Sequence, residues 1–140
     1  MEPSSTLSSR AAAQSCEAVS VLLIDDDDDF RDGLAENLRD DGHVVDEHAD
    51  PPQLTALQGV SNIGVVILDY HLADYGSGIR FADRLHAAHP RIPIILITAD
   101  WTDYLEAQVE ARDFLHLVRK PFDYFQLHDL AHRLATGMSS

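Results

Sequence analysis

Four short apolar runs along the chain each end in a polar or charged side chain. The runs are 21–24, 65–68, 94–97 and 117–118, and they lead into Asp25-Asp26, Asp69, Thr98 and, after Arg119, Lys120-Pro121. Nearly every position in these runs is apolar and many are branched at Cβ, as is typical of strands buried on both faces of a parallel sheet. Because the carboxyl ends of parallel strands meet at one edge of the sheet, we expect the polar groups to gather there.

Helical patterns separate the apolar runs. Apolar residues recur every four positions at Phe30, Leu34 and Leu38, and Gly42 follows where a left-handed residue commonly ends a helix. Asp28 or Asp29 is expected to cap the first turn of this helix. The patterns predict strands at 19–24, 43–48, 63–69, 92–98 and 114–119, and helices at 29–41, 50–58, 77–89, 101–111 and after an Asp123 cap. Strict alternation of five strands with five helices predicts an α/β fold, with helices on both faces of a parallel sheet.

Composition narrows the class of protein. The 140 residues carry 24 acidic and 10 basic side chains, a formal charge of −14, which disfavours direct binding to DNA or to an anionic membrane. No apolar stretch reaches the ~18 residues of a membrane span. The single cysteine, Cys16, excludes an internal disulfide and is expected to be inert, so we expect a cytoplasmic protein. Residues 1–18 are expected to form a flexible tail, and residues 19–136 one domain.

The predicted sheet edge suits phosphoryl chemistry. Mg²⁺ prefers oxygen ligands, which Asp25, Asp26 and Asp69 can supply if their strands are neighbours. A carboxylate can attack phosphorus to form an aspartyl-phosphate, and a metal ion and a lysine then offset the charge of the phosphoryl oxygens. Thr98 offers a hydroxyl group and Lys120 a mobile positive charge for the same oxygens.

In sequence, the chain resembles the receiver domain of two-component response regulators. The segments VLLIDDDDDF, VVILD, ILITA and RKPF carry the resemblance, which covers about residues 19–136. It implies a flavodoxin-like, doubly wound sheet of five strands in the order 2-1-3-4-5. It also implies that a sensor histidine kinase or histidine phosphotransfer protein donates a phosphoryl group to Asp69.

The resemblance assigns roles to the other site residues. Asp25, Asp26 and Asp69 resemble the Mg²⁺ ligands, together with the backbone carbonyl of His71. Thr98 resembles the switch hydroxyl, with the small Ala99 after it, and Lys120 the lysine that contacts the phosphoryl group. A cis Lys120-Pro121 bond is also implied. We expect a stand-alone receiver that switches the binding of a downstream protein through residues 101–136, a face that can also form a homodimer.

Three departures from the family pattern stand out. Leu117 occupies the position of an aromatic residue that usually turns inward on phosphorylation. Ala73 and Ser77 stand where Pro and Gly are usual, and Gly78 comes one residue later, which indicates a one-residue insertion after the acceptor. The acidic run extends to Asp29 and adds negative charge near the expected metal entrance.

Two alternative functions remain at this stage. Asp25 and Asp27 superficially match the opening motif of haloacid dehalogenase phosphatases, but Asp29 stands where Thr or Val is expected and the chain lacks room for a cap. The other alternative is a receiver-shaped protein that is no longer phosphorylated.

The histidines and the single tryptophan are harder to interpret. His128 and His132 lie one helical turn apart and are expected to be surface residues. Trp101 is expected to pack on the surface at a helix start. The side chain of His71 lies two residues past the acceptor, where it could touch an attacking water and affect the lifetime of the phosphorylated state.

Overall fold

The computed structural model describes residues 17–54, 63–72 and 76–137, which form a five-stranded main sheet with helices on both faces and a separate pair of short strands. The strands are β1 Ser20–Ile24, β2 Val44–His48, β3 Val65–Asp69, β4 His71–Leu72, β5 Gly76–Ser77, β6 Ile94–Thr98 and β7 Leu115–Arg119. The helices are α1 Asp28–Asp40, α2 Gly78–Ala88, α3 Asp103–Glu110 and α4 Tyr124–Thr136. The main sheet has the order β2-β1-β3-β6-β7 and is parallel throughout, so the predicted order of the five main strands is confirmed.

The structure differs from the predicted element list in two places. Four helices rather than five lie within the described residues, because the last four residues of the predicted helix at 50–58 fall outside them. The antiparallel pair β4–β5 was not predicted, since strands of two residues leave no periodic pattern. Most of the expected tail, including Cys16, also lies outside the described part of the chain.

Side-chain caps determine where the helices begin. Asp27, rather than the expected Asp28 or Asp29, caps α1 by accepting the N–H of Phe30 at 3.1 Å. Asp123 caps α4 as predicted, with its carboxylate accepting the N–H of Phe125 at 2.9 Å. No helix of the described residues is long and apolar enough to cross a membrane.

Alternate residues of each central strand enter two separate cores. Leu22 and Ile24 of β1 face α2 and α3, whereas Val21 and Leu23 face α1 and α4. The strands β3 and β6 are buried at every position, which explains why their sequences are continuously apolar. Leu34 and Leu38 of the predicted stripe on α1 are buried. Ile79, Ala82 and Leu85 of α2 and Leu127 of α4 are buried as well, whereas Phe125 of α4 is 75% exposed.

Candidate functional site

Four neighbouring strands deliver the predicted site residues to one edge of the sheet. Asp25 follows β1, Asp69 ends β3, Thr98 ends β6 and Lys120 follows β7. One carboxylate oxygen from each of Asp25, Asp26 and Asp69 lies within 4.8 Å of the others. The Lys120 ammonium lies 3.4 Å from Asp25 Oδ2 and 3.5 Å from Asp69 Oδ1. The structure therefore brings the three acids and the lysine together.

Asp25 is held in place by its own loop. Its side chain is fully buried and accepts the N–H of Asp27 at 2.9 Å. Its backbone carbonyl accepts a hydrogen bond of 2.8 Å from the guanidinium of Arg31, one turn into α1. Asp26, by contrast, is exposed. The acidic pair thus presents one buried carboxylate, held by its loop, and one exposed carboxylate.

Negative charge is crowded at this edge. Burial and the nearby Asp25 carboxylate raise the pKa of Asp69 from its ordinary 3.8 to about 6, against the lowering effect of Lys120. Burial also raises the pKa of Asp25, although the Asp27 N–H and Lys120 oppose the shift. Carboxylates that resist ionisation together are expected to be stabilised in the charged form by a dication.

Lys120 is positioned by its backbone and by an aromatic ring. The Lys120-Pro121 bond is cis, as the resemblance implied, and the Lys120 N–H donates to the Thr98 carbonyl at 2.7 Å. The ammonium lies 4.2 Å from the centroid of the Phe30 ring, within the range of a cation–π contact. Phe122 packs edge-on against Phe30 at 5.8 Å between centroids. Sequence reasoning placed Phe30 in the core stripe and missed this contact.

The Thr98 hydroxyl is engaged with the loop that follows β6. It accepts the N–H of Asp100 at 2.9 Å and donates to the Asp100 carbonyl at 3.1 Å. The Asp100 carboxylate pairs with the His71 ring, and both side chains are more than half exposed. The loops after β3 and β6 are therefore joined beside the site, a link between distant residues that no sequence motif indicated.

Gly78 fits the backbone next to the candidate acceptor. A Cβ atom at this position would lie 2.3 Å from the carbonyl oxygen of Asp69. The Gly78 N–H donates to the carbonyl of Tyr70 at 2.7 Å. The glycine that follows the inferred insertion thus packs directly against the backbone of β3, which explains why glycine is needed one residue later than the family pattern places it.

These side chains line an open cleft of about 640 Å³. Its walls are formed by Asp25, Asp26, Asp27, Asp69, Tyr70, His71, Leu72, Ser77 and Lys120. The acids are the one group of three or more potential metal ligands found among the described residues. An all-carboxylate donor set with room for water fits a hard dication such as Mg²⁺. The side chain at position 117, half-buried against the core under α2 and α3, is Leu rather than an aromatic ring.

Comparison with known proteins identifies the family. The model of the response regulator receiver domain matches residues 21–132. Comparison with curated protein sequences finds no match.

Three solved structures illustrate the likeness. A CheY-like receiver domain protein from Methanospirillum hungatei is 18% identical, with a TM-score of 0.75 over 87% of this chain and 97% of that one. A response regulator from Burkholderia pseudomallei is 22% identical, with a TM-score of 0.69 over 85% and 69%. NtrX from Brucella abortus is 28% identical, with a TM-score of 0.73 over 87% of this chain and 28% of that one. The first two support the fold, and the matched family model covers most of the chain and favours a signalling domain over a phosphatase. The chain belongs to the receiver domains of two-component response regulators.

Proposed function

We propose that Asp69 accepts a phosphoryl group from a phosphohistidine of a sensor histidine kinase or histidine phosphotransfer protein, in a Mg²⁺-dependent reaction. Receiver domains as a family act with such phosphodonors. The observation that carries the proposal is the placement of the Asp69 carboxylate in an open cleft, within reach of two further acids and Lys120. The Burkholderia pseudomallei neighbour was solved with a phosphorylated aspartic acid and a calcium ion, which supports an aspartate as the acceptor and a dication in the protein.

The transfer needs little beyond positioning. An Asp69 carboxylate oxygen attacks phosphorus and forms the O–P bond, while the P–N bond to the donor imidazole breaks and the imidazole leaves with the bonding pair and takes a proton. Lys120 offsets the charge of the phosphoryl oxygens. In hydrolysis, a water oxygen attacks phosphorus and the O–P bond to Asp69 breaks, which returns the carboxylate and releases inorganic phosphate.

Mg²⁺ would be held by Asp25, Asp26, Asp69 and the backbone carbonyl of His71. When bound, it neutralises the crowded carboxylates and the phosphoryl oxygens. The buried Asp25 fixes one side of this donor set, because its loop is held by Asp27 and Arg31. The exposed Asp26 can adjust to the coordination geometry.

The switch begins at Thr98. Its hydroxyl now donates to the Asp100 carbonyl, and a phosphoryl oxygen on Asp69 would compete for that proton. Asp69 pairs with Ile97 across β3 and β6, so Thr98 lies one residue beyond the acceptor on the next strand. Turning the hydroxyl toward the phosphoryl group would release the loop that carries Asp100 and Trp101. This route does not need an aromatic ring at Leu117.

The output surface is proposed to be the face formed by residues 101–136. Of the four exposed large apolar side chains among the described residues, Trp101, Tyr104 and Phe125 lie in this segment. The Arg119 guanidinium lies 5.4 Å from the Trp101 ring centroid, next to the loop that Thr98 would release. This face would bind a downstream protein or form a homodimer. Action without an attached output domain, a cytoplasmic location and the lack of direct DNA binding stay predictions.

Labelling with a small-molecule phosphodonor tests the proposal. Wild-type protein incubated with Mg²⁺ and acetyl phosphate should gain one phosphoryl group, located on Asp69 by mass spectrometry. Asp69→Ala should gain none. Asp29→Ala, which removes an exposed acid of the same acidic run, should be labelled like the wild type.

Other outcomes would overturn the assignment. Steady turnover of phosphate esters that depends on Asp25, with no stable label, would indicate phosphatase chemistry. If neither label nor a spectral response to Mg²⁺ with beryllofluoride is found, the chain is a receiver that has lost phosphorylation.

A further inference from the structure

A second cluster of titratable side chains lies at the amino end of the sheet, opposite the acidic cleft. His128 and His132 of α4 were expected to be surface residues, but both are half-buried and His128 is only 18% exposed. The structure adds a third histidine, His43, which lies in the turn before β2. The histidine cluster, defined as these three residues, therefore joins the α1–β2 turn to the last helix.

The fold buries His43 and fixes its protonation pattern. Gly42, with a φ of +94°, turns the chain at the end of α1 so that His43 points inward and is 6% exposed. The backbone N–H of Val19 donates to His43 Nδ1 at 3.0 Å. Nδ1 therefore carries a lone pair, and the proton of the neutral ring is on Nε2.

This tautomer gives the contact with α4 a direction. His43 Nε2 and His128 Nε2 lie 2.7 Å apart. Since His43 Nε2 carries the proton, it donates and His128 Nε2 accepts. The contact exists only while His128 Nε2 is unprotonated.

The same hydrogen bonds argue against a metal ion in the cluster. A histidine that binds a metal through Nε2 normally keeps its proton on Nδ1 and donates it to an acceptor. His43 Nδ1 faces a donor, the Val19 N–H, so a proton there would meet another N–H. This arrangement of hydrogen bonds therefore responds to a proton and not to a metal ion.

A proton on His128 would change its partners. It would set the N–H groups of His43 and His128 against each other, and Asp41 Oδ2, which lies 3.8 Å from His128 Nε2, would attract the charged ring instead. The Asp41 carboxylate already accepts the Tyr124 hydroxyl at 2.8 Å. The His132 ring stacks on His128 at 6.2 Å, and its Nε2 is buried without a hydrogen-bond partner among the described residues. Once His128 is charged, a second positive charge on His43 or His132 is thus disfavoured. Asp41 is the group that would pair with the charged His128 ring.

We propose that the histidine cluster is a proton-sensitive latch, which holds α4 on the α1–β2 turn at neutral pH and releases it on mild acidification. The apolar side chains around it, Val19, Val21, Leu38 and Ala131, leave a cavity of about 10 Å³, so the charged rings have little room for hydration in place. Burial and the two other histidines also lower the pKa of His43, against the raising effect of Asp41. The lowered pKa favours the neutral form of His43, which donates to His128.

Amide hydrogen exchange with and without the titrating ring tests the latch. Gln at position 128 keeps an acceptor for His43 but does not titrate, so the variant is His128→Gln. Between about pH 7.5 and 5.5, exchange of the α4 amides and of the Val19 amide, corrected for intrinsic rates, should rise about fivefold more in wild type than in His128→Gln. His89→Gln, which replaces a histidine at the end of α2, should behave like the wild type.

Three results would overturn the proposal. One is an equal rise in wild type and His128→Gln. Another is a stabilisation of the wild type, but not of the variant, by Zn²⁺, which would identify a metal site. The third is read from the wild type alone, should the variant fail to fold: nitrogen NMR shifts that place a proton on His43 Nδ1 at neutral pH. The expected result is a proton on Nε2, and loss of α4 protection in step with protonation of His128.

Discussion

The two ends of the sheet accommodate buried titratable groups in opposite ways. At the carboxyl end, Asp25 and Asp69 are crowded beside Lys120 in an open cleft, and their raised pKa values show that the charged forms are not fully compensated. At the amino end, the His43 ring donates a hydrogen bond to the His128 ring beside a small cavity lined by apolar side chains. The first arrangement is the one proposed to take up a dication and a phosphoryl group, and the second is held by a hydrogen bond that a proton on His128 would break.

The contrast shows how each end responds to a change in charge. The open cleft holds unfavourable electrostatic energy that a bound dication can relieve. In the histidine cluster, a proton on His128 would instead break the hydrogen bond from His43, so an added charge weakens the contact between α4 and the α1–β2 turn. The variants that test this comparison most directly change first the backbone that supports the cleft and then the charges within it.

The largest effect is expected from Gly78→Ala. The added Cβ atom would lie 2.3 Å from the Asp69 carbonyl oxygen, so α2 or β3 must shift. We expect the free energy of unfolding to fall by ~3 kcal/mol, at the upper end of overpacking costs, and the acceptor to be displaced. Urea denaturation measures the first effect, and labelling by acetyl phosphate measures the second.

Gly33→Ala is the matched control for this substitution. Gly33 lies within α1, and a Cβ atom there would meet nothing within 4 Å. Alanine should therefore stabilise the protein by ~0.5–1 kcal/mol. Equal destabilisation by both substitutions would show that glycine at position 78 is not required by its contact with β3.

The next largest effect is the loss in the free energy of unfolding that the ionised Asp69 carboxylate causes in the metal-free protein. Its folded pKa of about 6 exceeds the ordinary 3.8, so between these values folding takes up a proton. This contribution to stability is fully present at low pH and is lost as pH rises through the folded pKa. Near pH 7, Asp69→Asn should therefore raise the free energy of unfolding by ~2 kcal/mol, and the gain should shrink below about pH 6.

Added Mg²⁺ and the variant Asp26→Asn are the controls for the Asp69 prediction. Adding Mg²⁺ should stabilise the wild type more than Asp69→Asn, since the carboxylate is a proposed ligand. Asp26→Asn removes an exposed charge and should change metal-free stability by less than ~0.5 kcal/mol. A loss of stability for Asp69→Asn at every pH would contradict the assigned direction of the pKa shift.

The sequence predicted the acidic cleft because its groups directly follow buried strands. Continuous apolar runs identified β1, β3 and β6, and parallel pairing then required Asp25, Asp69 and Thr98 to share an edge. Strand order came from the family resemblance and not from the periodicity, which cannot choose among neighbours. The histidine cluster could not be predicted in this way, because it depends on where α4 packs against the α1–β2 turn.

Contacts between the ends of side chains could not be predicted from the sequence either. Phe30 was placed correctly on the inner stripe of α1, but its position under the Lys120 ammonium depends on the rotamers of both residues. The cap at Asp27 was missed by one residue, since five consecutive aspartates offer equivalent candidates. Periodicity places a side chain on a face, and only the packed structure selects its partner.

The Phe30–Lys120 contact gives a smaller, measurable prediction. Phe30→Leu keeps an apolar side chain but removes the ring face, and Lys120→Met removes the charge. A double-mutant cycle should give a coupling of ~0.5–1 kcal/mol between the two residues in urea unfolding. Phe30→Tyr keeps a ring face and the contact with Lys120, so a cycle built on this substitution should give a coupling near zero. A coupling of zero in the cycle built on Phe30→Leu would show that the ring only fills space.

The smallest expected effect concerns His71, whose ring joins the loop after β3 to Asp100 after β6. Because this exposed pair lies beside the cleft, His71→Ala should open a path for water and speed dephosphorylation of Asp69 by about threefold, the range that loss of one exposed polar contact allows. Asp100→Ala should act in the same direction, and the double variant should add little, since both substitutions break one contact. His89→Ala, remote from the cleft, should leave the rate unchanged. If phosphate release from His71→Ala matches that of the wild type, the pair does not control access to the acyl phosphate, and the open cleft itself sets the lifetime of the phosphorylated state.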